Sequence, residues 1–127
     1  MASIVIVEDD MNLADMYKKK IEEGGHSAYI SQDLEAVNKI RETKPNLVLL
    51  DVMMPSVNGL DILRELKNDT DLMSIPVVLL TNAAGDDVIS KGLQYGAYGY
   101  LLKSETTPDM ILSRINMTLE ETGQKKD

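Results

Sequence analysis

Three continuous apolar runs constrain the fold of this chain more than any other feature of its sequence. They are SIVIV (residues 3–7), LVLL (residues 47–50) and VVLL (residues 77–80). Short runs that are apolar at every position and rich in β-branched residues are typical of parallel strands covered on both faces. We therefore predict three central parallel strands.

Two weaker runs follow glycines and complete the predicted sheet. SAYI (residues 27–30) comes after Gly24-Gly25, and GYLL (residues 99–102) comes after Gly96, as expected for a second and a fifth strand. The spacers between strands are long enough for right-handed helical crossovers. The predicted architecture is a doubly wound α/β sandwich in one domain, residues 1–122, followed by a polar tail, residues 123–127.

The spacers carry apolar residues at helical spacing. We predict that the first helix ends at Gly24-Gly25, that the fourth covers residues 88–95, and that the fifth starts at Thr107 as N-cap with Pro108 as first helical residue. The predicted inward faces are Leu13, Met16, Tyr17, Lys20 and Ile21; Leu34, Val37 and Ile40; Leu60, Leu63 and Leu66; and Ile111, Ile115 and Leu119.

Composition excludes several classes of function. The 127 residues carry a net charge of −8, which disfavours direct binding to nucleic acid or to an anionic membrane surface. The absence of cysteine and the single histidine exclude disulfides, thiolate metal sites and histidine clusters. No apolar run is long enough to span a membrane and no secretion signal is visible, so we predict a cytoplasmic protein.

Polar side chains follow four of the predicted strands. Glu8-Asp9-Asp10 follows the first strand, Asp51 the third, Thr81-Asn82 the fourth and Lys103 the fifth. Ligands of open parallel sheets bind beyond the carboxyl ends of the strands, so these side chains are expected to meet at one edge. Each of them alone is more typical of a turn, a helix cap or a solvated strand end; their coincidence is what favours a site.

The predicted cluster has the chemistry of phosphoryl transfer. Glu8, Asp9 and Asp51 would repel one another unless a cation were bound, and a set of oxygen ligands selects a hard ion such as Mg²⁺. Thr81 offers a hydroxyl and Lys103 a positive charge for holding a phosphoryl group. A carboxylate can attack phosphorus, and Asp51 would supply that nucleophile.

The same residues carry a resemblance to a known family. The motifs IVEDD, LVLLDVMMPSVNGL, IPVVLLT and GAYGYLLK resemble, in order and spacing, the receiver domain of two-component response regulators, including the chemotaxis receivers, over about residues 3–121. The resemblance implies a flavodoxin-like sheet of five strands in the order 2-1-3-4-5, with five helices. It also implies a phosphorylation-dependent signalling switch.

Carried over by position, the resemblance assigns the acceptor and its metal. Asp51 matches the phosphoacceptor, and Glu8 with Asp9 match the acidic pair that holds Mg²⁺, with Asp9 binding directly and Glu8 mainly through water. Met53 matches the residue whose backbone carbonyl binds the metal. Pro55 and Gly59 are expected to shape the following loop so that Asp51 is held at the cleft rather than buried.

The resemblance also assigns the phosphoryl-binding and switch residues. Thr81 matches the switch hydroxyl, Asn82 a backbone N–H donor to the phosphoryl group, and Lys103 the charge-pairing lysine. Tyr100 matches the aromatic residue that changes rotamer when Thr81 moves, although a half-packed strand tyrosine would look the same. Ser104 replaces the usual proline after the lysine, which leaves open whether the preceding peptide is cis.

The implied partners are proteins. A histidine kinase or phosphotransfer protein would donate the phosphoryl group in a phosphorelay, and a downstream target or effector domain would bind the face made by helix 4, strand 5 and helix 5. A monomer or a weak phosphorylation-dependent dimer is expected. The protein would not be a metabolic enzyme, but it would assist its own aspartyl phosphorylation and dephosphorylation.

Three other functions remain as alternatives. A phosphohydrolase with an aspartate nucleophile would characteristically have a second aspartate at position 53, where this chain has Met53. A flavin-binding electron carrier would need a Ser/Thr/Gly-rich loop where this chain has Glu8-Asp9-Asp10. A pseudo-receiver would bind partners without phosphorylation. The sequence also leaves open whether the receiver stands alone or belongs to a larger regulator.

Overall fold

The computed structural model describes residues 2–82 and 86–123. The chain alternates between strands and helices, in the sequence that the apolar runs predict. The strands are β1 (Ser3–Val7), β2 (Ser27–Ser31), β3 (Leu47–Asp51), β4 (Val77–Thr81) and β5 (Gly99–Leu102). The helices are α1 (Met11–Glu23), α2 (Ala36–Thr43), α3 (Gly59–Lys67), α4 (Asp86–Gln94) and α5 (Pro108–Thr122).

The five strands form one parallel sheet in the order β2-β1-β3-β4-β5, which confirms the predicted fold class. Alternate residues of the three central strands, β1, β3 and β4, enter two separate cores because successive side chains point to opposite faces. One core contains buried residues of α2 and α3, with Val88 of α4 packed against it. The other contains buried residues of α1 and α5. Because all five strands are parallel, their carboxyl ends lie at the same edge of the sheet.

The helix termini follow from local sequence. The Thr107 side chain accepts a hydrogen bond from the Met110 backbone N–H, and Pro108 opens α5, as predicted. Gly24 caps the end of α1, and Gly25 follows with a φ of 92°, a conformation that glycine adopts without strain.

Two predicted inward-facing residues are exposed, and the bounds of four elements differ from the prediction. Leu34 lies in a short 3₁₀ turn (Asp33–Glu35) ahead of α2 and is 75% exposed, and Met16 of α1 is 46% exposed. Strands β2, β3 and β4 each extend one residue further, and α4 starts and ends earlier than residues 88–95. Among the described residues, no helix is both long and apolar enough to cross a membrane. The predicted tail lies outside the described residues except for Gly123.

Candidate functional site

Residues at four strand ends lie at the carboxyl edge of the sheet, as the sequence predicts. Glu8 directly follows β1, Asp51 is the last residue of β3, and Thr81 is the last residue of β4. Lys103 directly follows β5 and opens a 3₁₀ turn (Lys103–Glu105). Glu8, Asp51 and Thr81 are all buried.

Lys103 connects the two buried carboxylates. Its Nζ lies 2.7 Å from Glu8 Oε1 and 3.1 Å from Asp51 Oδ2, and its side chain is 11% exposed. Both carboxylate oxygens are buried and lack a well-aligned hydrogen bond, although they lie within ion-pair distance of the ammonium group. The ammonium therefore compensates their charge without filling their hydrogen-bonding capacity.

The expectation that the following loop would hold Asp51 at the cleft rather than buried is wrong. Asp51 is 1% exposed. A buried carboxylate needs compensation, and here Lys103 supplies charge on one oxygen while the Met53 backbone N–H donates to Oδ1 at 3.1 Å. Lys103 and the Met53 N–H therefore compensate a carboxylate that is buried.

Gly59 sets the path of the backbone behind Asp51. Its N–H donates to the Val52 carbonyl at 2.8 Å, and the Val52 N–H donates to the Leu80 carbonyl of β4 at 3.0 Å. A Cβ atom on Gly59 would lie 2.2 Å from the Asp51 carbonyl oxygen and 2.7 Å from the Val52 Cα. Only glycine permits this close approach of α3 to the end of β3.

Burial and charge set the protonation of the cluster. Burial raises the pKa of Glu8 to about 7; the ion pair with Lys103 opposes this rise and the neighbouring Asp51 carboxylate reinforces it. Burial acts to lower the pKa of Lys103, but Glu8 and Asp51 outweigh it, so that this pKa is raised overall. Lys103 is thus held in its charged form between two acidic groups.

The donor set fits a hard divalent cation. Glu8, Asp9 and Asp51 each place one carboxylate oxygen within 4.8 Å of the others, and Asp9 is only half-buried. Two buried oxygens without aligned hydrogen bonds and an all-oxygen donor set are features of magnesium sites. Asp10 has a different role, because its side chain caps α1 by accepting from the Leu13 N–H at 3.2 Å.

The sequence family is decided by comparison with known proteins. The family described as response regulator receiver domain matches residues 4–116. This chain belongs to the response regulator receiver domains. The match spans the sheet, the acidic cluster and the start of α5, which are the parts that form the site.

Named relatives share this receiver region. The DNA-binding response regulator MtrA of Mycobacterium tuberculosis is 35% identical over 123 residues, which cover 96% of this chain and 52% of that protein. The phosphate regulon regulatory protein PhoB of Pseudomonas aeruginosa is 30% identical over 122 residues, with 95% and 53% covered. The chain therefore spans about half the length of these curated relatives.

Solved structures share the fold of this receiver domain. The receiver domain of the Francisella response regulator 1452 has a TM-score of 0.86 and 26% identity, with 96% of this chain and 99% of that chain covered. The chemotaxis response regulator CheY4 of Vibrio cholerae also has a TM-score of 0.86, with 22% identity and coverage of 94% and 99%. At that identity the second likeness concerns the fold alone.

The remaining predicted residues of this receiver domain lie beside the cluster. Thr81 pairs in register with Leu102, the residue before Lys103, and Asn82 follows it as an exposed residue. Residues 83–85, which come next, lie outside the described part of the chain. Tyr100 is 38% exposed and pairs in register with Leu79, so it lies on the sheet face that α3 covers.

Two features of this receiver domain were not foreseen in the sequence. Tyr17, predicted only as a core residue of α1, is buried, and burial raises its pKa; the charges of Lys103, Glu8 and Asp51 also act on it. Its ring thus lies within electrostatic range of the cluster, and an apolar pattern gives no sign of this. The Lys103–Ser104 peptide is trans, since no described peptide bond is cis.

Proposed function

We propose that this receiver domain is a phosphorylation-dependent signalling switch whose phosphoacceptor is Asp51. The observation that carries the proposal is the position of Lys103 Nζ, 2.7 Å from Glu8 and 3.1 Å from Asp51, beside an acidic triad with oxygens within 4.8 Å. A nucleophilic carboxylate, a cation and a set of metal ligands are the groups that aspartyl phosphorylation needs.

The transfer joins Asp51 to phosphorus and releases histidine. A carboxylate oxygen of Asp51 attacks the phosphorus of a phosphohistidine on a histidine kinase or phosphotransfer protein. The phosphorus–nitrogen bond breaks, its electron pair stays on the imidazole nitrogen, and that nitrogen takes a proton from solvent. The product is an acyl phosphate, which water later hydrolyses back to the carboxylate.

The surrounding residues divide the tasks of binding. Glu8, Asp9, Asp51 and the Met53 carbonyl would hold Mg²⁺, which when bound neutralises charge on the phosphoryl oxygens. Lys103 has a positive charge to offer those oxygens, at the cost of its present contact with Asp51. Thr81 and the Asn82 backbone N–H would donate hydrogen bonds to them.

The output would pass from Thr81 to Tyr100. The phosphoryl group adds roughly 1.5 to 2 negative charges and new acceptor oxygens, which attract the Thr81 hydroxyl and Lys103. Tyr100, now partly exposed, would turn inward as Thr81 moves. It lines a groove of about 490 Å³ with residues of α4, of β5 and the segment before it, and of α5, among them Leu93, Tyr98 and Met110.

That groove is where a downstream target or effector domain would bind. A partner can shift the switch only by its difference in affinity for the two states, so its binding should in turn slow loss of the phosphoryl group. A monomer, or a dimer that forms weakly on phosphorylation, fits this scheme.

Phosphorylation with a small-molecule donor tests the acceptor. Acetyl phosphate with Mg²⁺ should add one phosphoryl group, seen by intact mass spectrometry, and should add none with EDTA. Asp51→Asn should take up none, while Asp15→Asn, a control at an exposed aspartate of α1, should match the wild type. Wild-type labelling of Asp51→Asn would refute the assignment.

Beryllofluoride, which takes the place of the phosphoryl group, tests the switch separately. NMR spectra with and without Mg²⁺-beryllofluoride should show shifts at Tyr100 and along residues 88–95. Shifts confined to Glu8, Asp51 and their neighbours would leave Asp51 as acceptor but would disprove the proposed route to the groove.

A further inference from the structure

Two successive threonines after Lys103 make different hydrogen bonds. The Thr106 hydroxyl donates to the Leu102 carbonyl at 2.6 Å, and the Thr106 N–H points to the Lys103 carbonyl at 3.4 Å. The Thr107 hydroxyl instead accepts from the Met110 N–H at 3.2 Å and caps α5. Thr106 therefore faces back to β5, and Thr107 faces forward to the helix.

The Thr106 bonds close the turn that carries Lys103. Leu102 is the last residue of β5, and its carbonyl leads directly into the Lys103 amide. A backbone carbonyl at a strand end needs a partner, and the Thr106 side chain supplies one across the 3₁₀ turn. The backbone on both sides of the Lys103 Cα is thus tied to one residue.

The position of the Lys103 ammonium group depends on these backbone hydrogen bonds because the lysine side chain is long. Its ammonium group lies within 3.1 Å of both Glu8 and Asp51, and a displacement of the Lys103 backbone would move it away from at least one of them. A lysine stem has several rotatable bonds, so its own rotamers do not fix the ammonium group. Precise placement must come from the backbone that bears it.

We propose that Thr106 is a positioning residue, which holds the Lys103 turn so that the ammonium group is aimed at Asp51 and Glu8. This proposal rests on the proposed function, in which Lys103 binds the phosphoryl oxygens. Thr106 itself touches neither carboxylate; it acts through Lys103.

Three variants separate an effect on the position of the Lys103 ammonium group from an effect on the stability of the fold. Thr106→Val removes the hydroxyl at nearly constant shape, Thr106→Ser keeps it, and Thr107→Val is the matched control that removes the neighbouring cap. Thr106→Val should slow phosphorylation by acetyl phosphate about fivefold, the factor that corresponds to one hydrogen bond. Thr106→Ser should restore the rate to within about twofold, and Thr107→Val should lower the melting temperature with little change in rate.

The direction of the change in magnesium affinity distinguishes a displaced Lys103 from a general loosening of the site. A less well-held Lys103 competes less for Glu8 and Asp51, so Thr106→Val should bind Mg²⁺ more tightly than the wild type in an NMR titration. A general loosening of the site would weaken Mg²⁺ binding and slow phosphorylation together, and that result would overturn the proposal. Equal rate losses in Thr106→Val and Thr107→Val would also overturn it.

A double-mutant cycle tests the route through Lys103. In a Lys103→Met background, Thr106→Val should have no further effect on rate or on Mg²⁺ affinity. An undiminished effect would show that Thr106 acts elsewhere. If the wild type takes up no phosphoryl group, the proposed function fails, while the Mg²⁺ titrations of the single and double variants still decide whether Thr106 positions Lys103.

Discussion

Two lysines at opposite edges of the sheet differ in the partners that burial leaves them. Lys67, the last residue of α3, donates to the Met73 carbonyl at 2.9 Å and the Ile75 carbonyl at 2.8 Å. Lys103, at the carboxyl edge, contacts two carboxylates. Burial lowers the pKa of Lys67, whereas the carboxylates outweigh burial at Lys103 and raise its pKa.

The difference indicates that Lys67 has a structural role, whereas the ion pairs of Lys103 can be replaced by contacts with a bound ligand. The Lys67 bonds join α3 to the segment that leads into β4, and its stem also packs over Gly96. At the other edge, Glu8 Oε1 and Asp51 Oδ2 are buried without aligned hydrogen bonds. A cation or a phosphoryl group can therefore improve on the contacts at the carboxyl edge, while at the amino edge the Lys67 ammonium already has its hydrogen bonds.

Replacing each lysine by methionine should give the largest contrast. Lys103→Met should slow phosphorylation by acetyl phosphate by about 10²- to 10³-fold, because a charge that stabilises the transition state is lost. Lys67→Met should leave that rate unchanged but lower the free energy of unfolding by about 1 to 3 kcal/mol, because it removes two hydrogen bonds, of which the one to the Ile75 carbonyl is partly buried. Rate assays and urea melts of both variants measure this. Equal rate losses would remove the distinction between the two edges.

Alanine at two glycines tests whether the carboxyl edge is also the tighter one. Gly59→Ala would force a Cβ against the Asp51 backbone and should cost about 3 kcal/mol of stability. Gly24→Ala, at the end of α1, meets only the flexible end of the Leu112 side chain at 2.6 Å and the Ile21 carbonyl at 3.3 Å, so it should cost less. Denaturant melts compare them. A Gly24→Ala variant as unstable as Gly59→Ala would contradict the comparison.

Magnesium should stabilise the carboxyl edge specifically. The ion relieves repulsion among Glu8, Asp9 and Asp51 in the folded state, so at 100 times its dissociation constant it should add about 2.7 kcal/mol. Thermal melts in EDTA and in Mg²⁺ measure the gain. It should shrink in Asp51→Asn and persist in Lys67→Met. A melting temperature that Mg²⁺ does not change would count against the site.

The pH dependence of stability should show a smaller effect from Glu8. Its pKa is raised from 4.5 to about 7, so between these values the folded state keeps a proton that the unfolded chain loses. Stability must then fall as pH rises through this window, by about 2 to 3 kcal/mol in EDTA. Glu8→Gln lacks this contribution, so the free energy of unfolding of the variant, measured relative to the wild type, should increase from pH 4.5 to 7. Parallel stability curves for the two proteins would contradict the raised pKa.

The sequence predicts the strand ends well because burial on both faces leaves a simple pattern. Strands β1 and β5 have the predicted bounds, and Glu8, Asp51 and Lys103 meet because parallel strands finish at one edge. Asp9 joins them by adjacency to Glu8. No contact had to be known for these positions to be inferred.

The parts that the sequence missed depend on contacts between distant residues. Leu34 has the spacing of an inward-facing residue, but the chain forms a 3₁₀ turn there and exposes it. The buried charge of Asp51 is compensated by Lys103, which follows a different strand, and the effect of the cluster's charges on Tyr17 depends on the packing of α1. Apolar periodicity records which face is buried, not which polar atoms meet beneath it.

Strand β5 is the shortest strand of the sheet, at four residues, and lies at its edge. Lys103, which directly follows it, is the only cation among the described residues that pairs with Glu8 and Asp51. Edge segments open locally at a lower free energy than the global unfolding transition. We expect opening of β5 to withdraw Lys103 while β1 and β3 keep both carboxylates in place. Hydrogen exchange at the β5 amides would then report the fraction of molecules in which Lys103 is withdrawn from Glu8 and Asp51. The remaining fraction is the largest that can hold a phosphoryl group with Lys103 in place.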